Sequence, residues 1–175
     1  MFVTQDKLEN NLIFQISTEL WYILDQIANT MSEQKKVTGV GGIFFKTKDA
    51  EKLKTWYQKH LGIKSDNYGA GFKFRQYEDK EKSGYLQWSP FAEDTDYFSP
   101  SEKPFMINYR VQNIESLVKE LKAGGVTICD EIVSYDYGKF VHIMDLEGNK
   151  IELWEPVDEV FDKYYEDDNT REANY

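Results

Sequence analysis

One acidic side chain, Glu152, interrupts the otherwise apolar strand pattern IELWEP at residues 151–156. Because side chains alternate along a strand, Glu152 shares a face with Trp154 and lies opposite its apolar neighbours. A carboxylate in a partly apolar cleft could act as a general acid or base, or could anchor a ligand cation or hydrogen-bond donor. The alternative is a structural carboxylate paired with Arg110 or His142, and the sequence leaves these roles open.

His142 is the candidate partner of Glu152. It lies in the strand pattern KFVHIM, and the turn sequence DLEGNK that follows predicts a hairpin to the strand of Glu152. Directly opposed side chains in a hairpin lie about 5 Å apart at Cβ. If both residues face one cleft, we expect them within hydrogen-bond or single-water reach, with Asn108 or Arg110 nearby. Glu152 and His142 are therefore the candidate acid–base pair.

Composition and charge restrict the classes of partner. A chain of 175 residues with 41% hydrophobic side chains can form one core with extensions. The net charge is −10 and basic residues are not clustered, which excludes a nucleic-acid-binding surface and mildly favours a neutral or cationic partner. No apolar run reaches membrane-spanning length, so no membrane partner is expected. The single cysteine, Cys129, excludes an internal disulfide and favours a cytoplasmic location.

The chain contains an internal repeat. GIFFKTKDAEKL at residues 42–53 matches MINYRVQNIESL at residues 106–117, and each copy runs from a strand pattern into a helix that follows Asp49 or Asn113. YLQWSP likewise matches IELWEP, which aligns Leu86 with Glu152. Each copy predicts a strand, a helix and three further strands. The result is two βαβββ modules, at about residues 39–91 and 104–156, with the first module's second strand placed within residues 64–70.

This pattern resembles the vicinal oxygen chelate superfamily, which contains glyoxalase I, extradiol dioxygenases, fosfomycin-inactivating transferases and bleomycin-resistance proteins. FFKTKDAEKLKTWYQKHLGI and MDLEGNKIELWEP carry the resemblance. It implies an α+β fold in which the two modules form a curled eight-stranded mixed sheet with helices on its outer face. We expect one such domain at residues 37–157, an N-terminal extension with an amphipathic helix at 1–36, and an acidic tail at 158–175.

The face of the sheet that the helices leave open is the expected binding cleft. Strand alternation assigns most of its residues, and the resemblance to the superfamily adds the strand of His142. Apolar rings with a few converging polar groups are typical of small-molecule sites. The candidate ligand-binding residues are Phe44, Leu86, Trp88, Met106, Asn108, Arg110, Phe140, Trp154 and, from a loop that could form a lip, Tyr137.

The resemblance also places the metal ligands of the superfamily's metalloenzymes, on the first and last strands of each module. The corresponding positions here are Gly42, Leu86, Met106 and Glu152. Glycine and leucine offer no side-chain donor, and a methionine thioether does not suit the zinc, nickel, iron or manganese of these enzymes. Glu152 is thus the one family-type ligand retained, and we expect neither a family-type metal nor another cofactor.

Three functional hypotheses follow. The first is a homodimer that binds a small organic molecule in its cleft, as the bleomycin-resistance proteins do. The alternative is an enzyme, either a glyoxalase I-like lyase or isomerase or a dioxygenase-like enzyme, that uses Glu152 with His142. The third is a structural or regulatory protein whose cleft is vestigial. The sequence leaves open which ligand is bound.

Overall fold

The computed structural model describes residues 15–16, 18–24 and 36–167. Its contacts divide the chain into two units, Met1–Lys35 and Lys36–Tyr175. In the first unit the described residues are helical, and the rest of the predicted amphipathic helix lies outside them. Within the described ranges, no helix is both long enough and apolar enough to cross a membrane.

The second unit combines a sheet with helices. Its strands are β1 (Val37–Thr47), β2 (Ala70–Arg75), β3 (Ser83–Ala92), β4 (Phe105–Val111), β5 (Thr127–Ile128), β6 (Val133–Tyr135), β7 (Gly138–Met144) and β8 (Lys150–Pro156). Its helices are α1 (Ala50–Leu61), α2 (Ile114–Ala123) and α3 (Asp158–Asp167).

The strands form one mixed sheet in the order β2-β3-β1-β4-β8-β7-β5, with β6 also paired to β7. The first strands of the two modules, β1 and β4, lie antiparallel at the centre. Each is paired in parallel with the last strand of its own module, β1 with β3 and β4 with β8. The predicted α+β fold with an eight-stranded mixed sheet is confirmed.

The strands are distributed differently from the prediction, with three in the first module and five in the second. The strand predicted within residues 64–70 does not form, because the Asp66 carboxylate accepts hydrogen bonds from the backbone N–H groups of Tyr68 and Gly69, at 2.7 and 3.0 Å. This local turn satisfies donors that a strand would pair. In the second module, VTICDEIV at residues 126–133 is predicted as one strand but is broken into β5 and β6 on either side of Asp130.

Both module helices pack on the same side of the sheet. Asp49 caps α1 by accepting the Lys52 N–H at 2.9 Å, and Gly62 ends it in the left-handed conformation. Tyr57 of α1 then packs on Trp88, with ring centroids 4.8 Å apart. The apolar side of α2 forms a core with strand residues of the second module: Val111, Ile114, Leu117, Val118, Val141, Ile143 and Leu153. The opposite face of the sheet is therefore available for a site.

Two other segments cover part of this open face. Phe98, from the connection between the modules, is fully buried and packs with Phe44 and Met106. Helix α3 forms within the predicted acidic tail. Its Phe161 ring packs against Trp154 and Tyr85, with centroids 5.3 and 5.4 Å apart. Together these segments narrow the open face to a cleft.

Candidate functional site

A row of residues at one level crosses five strands on the open face. Gln87 pairs with Gly42, Gly42 with Asn108, Asn108 with Glu152, and Glu152 with His142. Paired residues in adjacent strands direct their side chains to the same side. We call these five residues the polar rung. It brings together the predicted pair Glu152 and His142 and adds Asn108 beside them.

Glu152 is the centre of a hydrogen-bond network. Its Oε1 accepts from Asn108 Nδ2 at 2.6 Å, and its Oε2 accepts from the Tyr97 hydroxyl at 2.5 Å. His142 Nε2 lies 2.9 Å from Oε2. The residue is 3% exposed, and these donors replace the water that a carboxylate loses on burial.

His142 lies between two carboxylates. Its Nδ1 is 2.6 Å from Asp130 Oδ2, while Nε2 faces Glu152. The backbone N–H of His142 donates to Asp130 Oδ1 at 2.8 Å, which fixes Asp130 beside the ring. Burial alone would lower the pKa of the imidazole, but the hydrogen bonds and charges of Glu152 and Asp130 outweigh it and raise the pKa. This arrangement favours the protonated ring, in which both nitrogens donate.

Tyr97 completes the network as a neutral donor. Burial first, then the charge and hydrogen bond of Glu152, raise the pKa of the phenol well above its ordinary value. Its ring stacks on Phe91, with centroids 5.3 Å apart and planes 4° from parallel. The ring also meets His142 edge-on at 5.6 Å. Tyr97 therefore holds Glu152 from the side opposite to β4.

The level next to the polar rung is aromatic. Trp154 and Phe140 are paired residues of β8 and β7, and their rings stack at 5.8 Å with planes 7° apart. Trp154 Nε1 donates to the Tyr137 carbonyl at 3.3 Å, and the Tyr137 ring meets Phe140 at 5.7 Å. Tyr135 stacks in turn on Tyr137 at 5.1 Å. This floor can stack on a planar ligand.

The cleft has two lobes that meet at Glu152. Lobe A has a volume of about 460 Å³ and includes Asn108, Trp154 and Phe161 in its lining. Lobe B has a volume of about 420 Å³ and includes Asp130 and His142. The residues that border both lobes are Phe44, Tyr68, Gln87, Tyr137, Phe140 and Glu152. A ligand in either lobe would therefore reach the centre of the network.

Gly41 leaves space in the middle of this floor. The pairing of β1 with β4 shifts between Val40 and Gly42, so Gly41 is the extra residue of a β-bulge. A Cβ on Gly41 would lie 2.1 Å from Asn108 Oδ1 and 2.8 Å from Trp154 Cε3. Both contacts are shorter than real Cβ atoms allow. The bulge thus admits the Asn108 and Trp154 side chains and keeps lobe A open above Gly41.

Comparison with known families decides the assignment. The model of the Glyoxalase/Bleomycin resistance protein/Dioxygenase superfamily matches residues 39–153, which is most of the chain. The chain belongs to this superfamily. A comparison with curated proteins gives no match.

Solved structures share the superfamily fold. Methylmalonyl-CoA epimerase from Mycobacterium tuberculosis is 17% identical, with 74% of this chain and 95% of that chain covered and a TM-score of 0.50. A single-substitution variant of the epimerase from Streptomyces coelicolor, in complex with 2-nitronate-propionyl-CoA, is 12% identical, with 69% and 99% covered and a TM-score of 0.53. At these identities the likeness shows the fold alone.

Most of the predicted cleft residues border the cleft of this superfamily member. Phe44, Phe140, Trp154, Asn108 and Tyr137 line lobe A. Leu86 borders it too, although it lies two residues from Trp88 on the same face of β3. Two others are covered. Met106 lies beneath Phe98, and Arg110 lies beneath α3, where its Nη2 donates to Asp158 Oδ2 at 2.6 Å. Arg110 is therefore held by a protein carboxylate and does not line either lobe.

The predicted placement of Trp88 on the open face is wrong. Trp88 pairs with Ile43, and its ring contacts Phe45 at 5.4 Å and Tyr57 of α1 at 4.8 Å, so it lies on the helix side. The sequence repeat misplaced it by aligning Leu86 with Glu152. The repeat of the first strands aligns Phe44 with Asn108. Phe44 pairs with Ser89, and Asn108 pairs with Glu152, so the spatial counterpart of Glu152 is Ser89. The two alignments differ by an odd number of residues, and an odd shift exchanges the faces.

Two residues of the network were missed by sequence reasoning. Tyr97 belongs to the connection between modules, a segment without strand or helix periodicity. Asp130 lies within VTICDEIV, which the sequence predicts as a continuous strand and which indicates no partner for its side chain. A polar residue within an otherwise apolar strand pattern was the available signal for Asp130. Nothing in the spacing of Tyr97 indicated its contact with Glu152.

The donor set does not fit a superfamily metal centre. Both Glu152 oxygens already accept hydrogen bonds, from Asn108 and Tyr97, and both His142 ring nitrogens face carboxylate oxygens. Gly42 offers no side chain, and Met106 is buried under Phe98. Within the described part of the chain, no three His, Cys, Asp or Glu residues are arranged to hold a metal ion.

Proposed function

We propose that this protein binds a small organic molecule in its open-face cleft and does so without a family-type metal. The observation that carries the proposal is the pair of ring-lined lobes that meet at the buried carboxylate of Glu152. Each lobe lies within the volume range of ligand pockets. Aromatic walls supply contact area, and the few polar groups at the floor set orientation.

Planar aromatic fragments should test this proposal. Ligand-observed NMR should detect binding of such fragments at millimolar concentration, and fragments that occupy the cleft should compete with one another. F140A removes a ring that borders both lobes and should weaken binding. F105A is the matched control, because Phe105 pairs with Phe45 on the helix side. Equal binding to both variants, after circular dichroism has verified their folding, would count against the cleft.

The metal-free part of the proposal has a separate test. Elemental analysis of purified protein should find far less than one equivalent of divalent metal. Its melting temperature should not change when a chelator is added, because no bound ion contributes to folding. Stoichiometric zinc, nickel, iron or manganese that is lost in E152Q would contradict this part.

A second candidate function is an acid–base enzyme, and the Asp130–His142–Glu152 arrangement favours it. Glu152 would act as the base, with His142 and Tyr97 as hydrogen-bond donors. The epimerases that share the fold act on a CoA ester, which is anionic, whereas no lysine or arginine among the described residues lines either lobe. For this reason we rank the enzyme hypothesis below the binding proposal. Deuterium incorporation from D2O into a carbon acid, abolished in E152Q, would establish it.

A further inference from the structure

We infer that the cleft is selective for organic cations, and that its ligand carries an amidinium or ammonium group on a flat aromatic body, with Glu152 as the specificity-determining residue. This inference rests on the proposed function and names the ligand class of the same site. It depends on the charge of the network, the position of nearby basic residues, an unpartnered acceptor and the aromatic walls.

The network of Asp130, His142 and Glu152 is acidic. Two acidic side chains, Asp130 and Glu152, flank one basic side chain, His142, and each ring nitrogen of His142 faces one carboxylate oxygen. Acidic groups outnumber basic groups in this network, so its net charge is negative even with the ring protonated. This charge is held in a protein cavity, where electrostatic interactions are stronger than in water. A cationic ligand neutralises it, and an anionic ligand is repelled.

The second step concerns the basic residues near the cleft. Of the residues that the structure describes, no lysine or arginine lines lobe A or lobe B. Arg110 lies next to Trp154 but is bound to Asp158. Lys150 Nζ donates to the Tyr97 backbone carbonyl at 2.7 Å and lies 5.4 Å from the centroid of the Tyr97 ring. The described part of the chain therefore presents no lysine or arginine charge to a ligand in either lobe, whereas Glu131 and Asp66 add carboxylates to the lining.

Asn108 carries a buried acceptor oxygen that lacks a donor in the described structure. Asn108 is 2% exposed, and its Nδ2 donates to Glu152, but its Oδ1 has no hydrogen-bond partner in the described structure. This oxygen lies over Gly41, and both residues line lobe A. An unpaired buried acceptor destabilises the protein until a donor reaches it. A ligand amidinium has two N–H donors on one edge, which suit a carboxylate and a neighbouring amide oxygen.

The fourth step is the aromatic wall. Trp154 and Phe140 are two residues along their strands from Glu152 and His142 on the same face. A flat body placed on these rings therefore has its substituent directed at the polar rung. Cations also interact favourably with the faces of aromatic rings, and the cleft supplies such faces from Tyr137 and Phe44. Shape and charge thus favour the same ligand class.

Three probes with one ring and different charges test the inference. Benzamidinium is cationic, benzamide is its neutral counterpart and benzoate is anionic. Affinities measured by NMR titration at pH 7 should show benzamidinium binding about tenfold more tightly than benzamide, as expected for one charge-assisted contact. Benzoate should not bind. E152Q should reduce benzamidinium affinity to that of benzamide and leave benzamide affinity unchanged.

E115Q is the matched control, because it makes the same chemical change at Glu115, which pairs with Lys139 at the surface. It should bind all three probes like the unaltered protein. If benzamide or benzoate binds as well as benzamidinium, and F140A weakens that binding, charge selectivity is wrong while the proposed cleft stands. If none of the probes binds at about 10 mM, a concentration at which fragments of this size are detectable, both proposals fail.

Discussion

The contacts of His142 with Glu152 and Asp130 raise its pKa, and the raised pKa affects the stability of the folded protein. A histidine whose pKa is higher in the folded state than in the unfolded chain binds its proton more tightly when folded. Its stabilising contribution is fully present below the unfolded pKa of about 6.5. The contribution is lost as the pH rises through the folded value. The groups that set this balance are Asp130, Glu152, Tyr97 and Lys150.

We predict that the free energy of unfolding falls with rising pH above about 6.5, by at most about 1.4 kcal/mol per pH unit for this one proton. H142Q should remove that part of the slope. Urea unfolding of both proteins between about pH 5.5 and about 9 would measure it. H60Q is the control, since His60 lies outside the cleft on α1. An unaltered slope in H142Q would show that Asp130 and Glu152 do not hold the proton.

The pairing of Glu152 with His142 could be predicted because it depends on local sequence. A short turn fixes the hairpin of β7 and β8, and the hairpin fixes which residues are opposite. The contact of Tyr97 with Glu152 spans a connection of irregular conformation, and its formation depends on the burial of Phe98. Sequence periodicity carries no information about such a contact, because no repeating geometry produces it.

At the scale of elements, the bulge in β1 determines whether the cleft floor can form. We predict that G41A destabilises the protein by about 1–3 kcal/mol, because its Cβ must displace Asn108 and Trp154. It should also weaken ligand binding in lobe A. G39A is a matched control in the same strand, since its Cβ would meet Arg110 Cδ at an ordinary 3.7 Å. Thermal unfolding of the two variants would compare them, and equal stabilities would contradict the role of the bulge.

Helix α3 is attached to the sheet by a buried ion pair. Arg110 is 3% exposed, and Asp158 binds both Arg110 and Gln76 Nε2, the latter at 2.8 Å. We predict that D158A costs about 3 kcal/mol of stability, because it leaves the Arg110 charge buried without its partner. E159A, one residue along the helix, should cost less than about 0.5 kcal/mol. Chemical denaturation would measure both, and similar small losses would show that Arg110 is hydrated.

The register of β3 determines that Trp88 faces the helices. YLQWSP and IELWEP have similar sequences. However, their positions in the sheet differ from the sequence alignment by an odd number of residues. Pairing with β1 and β4 sets the register, and that pairing is a non-local property. The general architecture was predictable from periodicity, because each element has its own pattern. The face of β3 that points into the cleft was not predictable from periodicity.

At the scale of the whole molecule, the outer face of the sheet exposes apolar side chains at its centre. Val40 and Ile43 of β1 are 38% and 40% exposed, and Trp56 of α1 is also exposed. Exposed apolar groups are typical of surfaces that bind another copy of the chain. We therefore predict a homodimer. Light scattering at tens of micromolar should give twice the chain mass, and I43D should give the monomer. A monomeric unaltered protein would contradict the prediction.

The position of Trp154 gives the molecule an internal optical probe. Of the four tryptophans, all within the described residues, Trp154 lines the cleft, Trp88 and Trp56 belong to the helix side, and Trp21 belongs to the N-terminal unit. Its indole stacks on Phe140 and lies beside the Arg110 guanidinium, so a ligand placed on this floor alters the surroundings of the emitting ring. A form that retains Trp154 and carries phenylalanine at the other three positions would therefore signal occupancy of the cleft by its own fluorescence, without any attached dye.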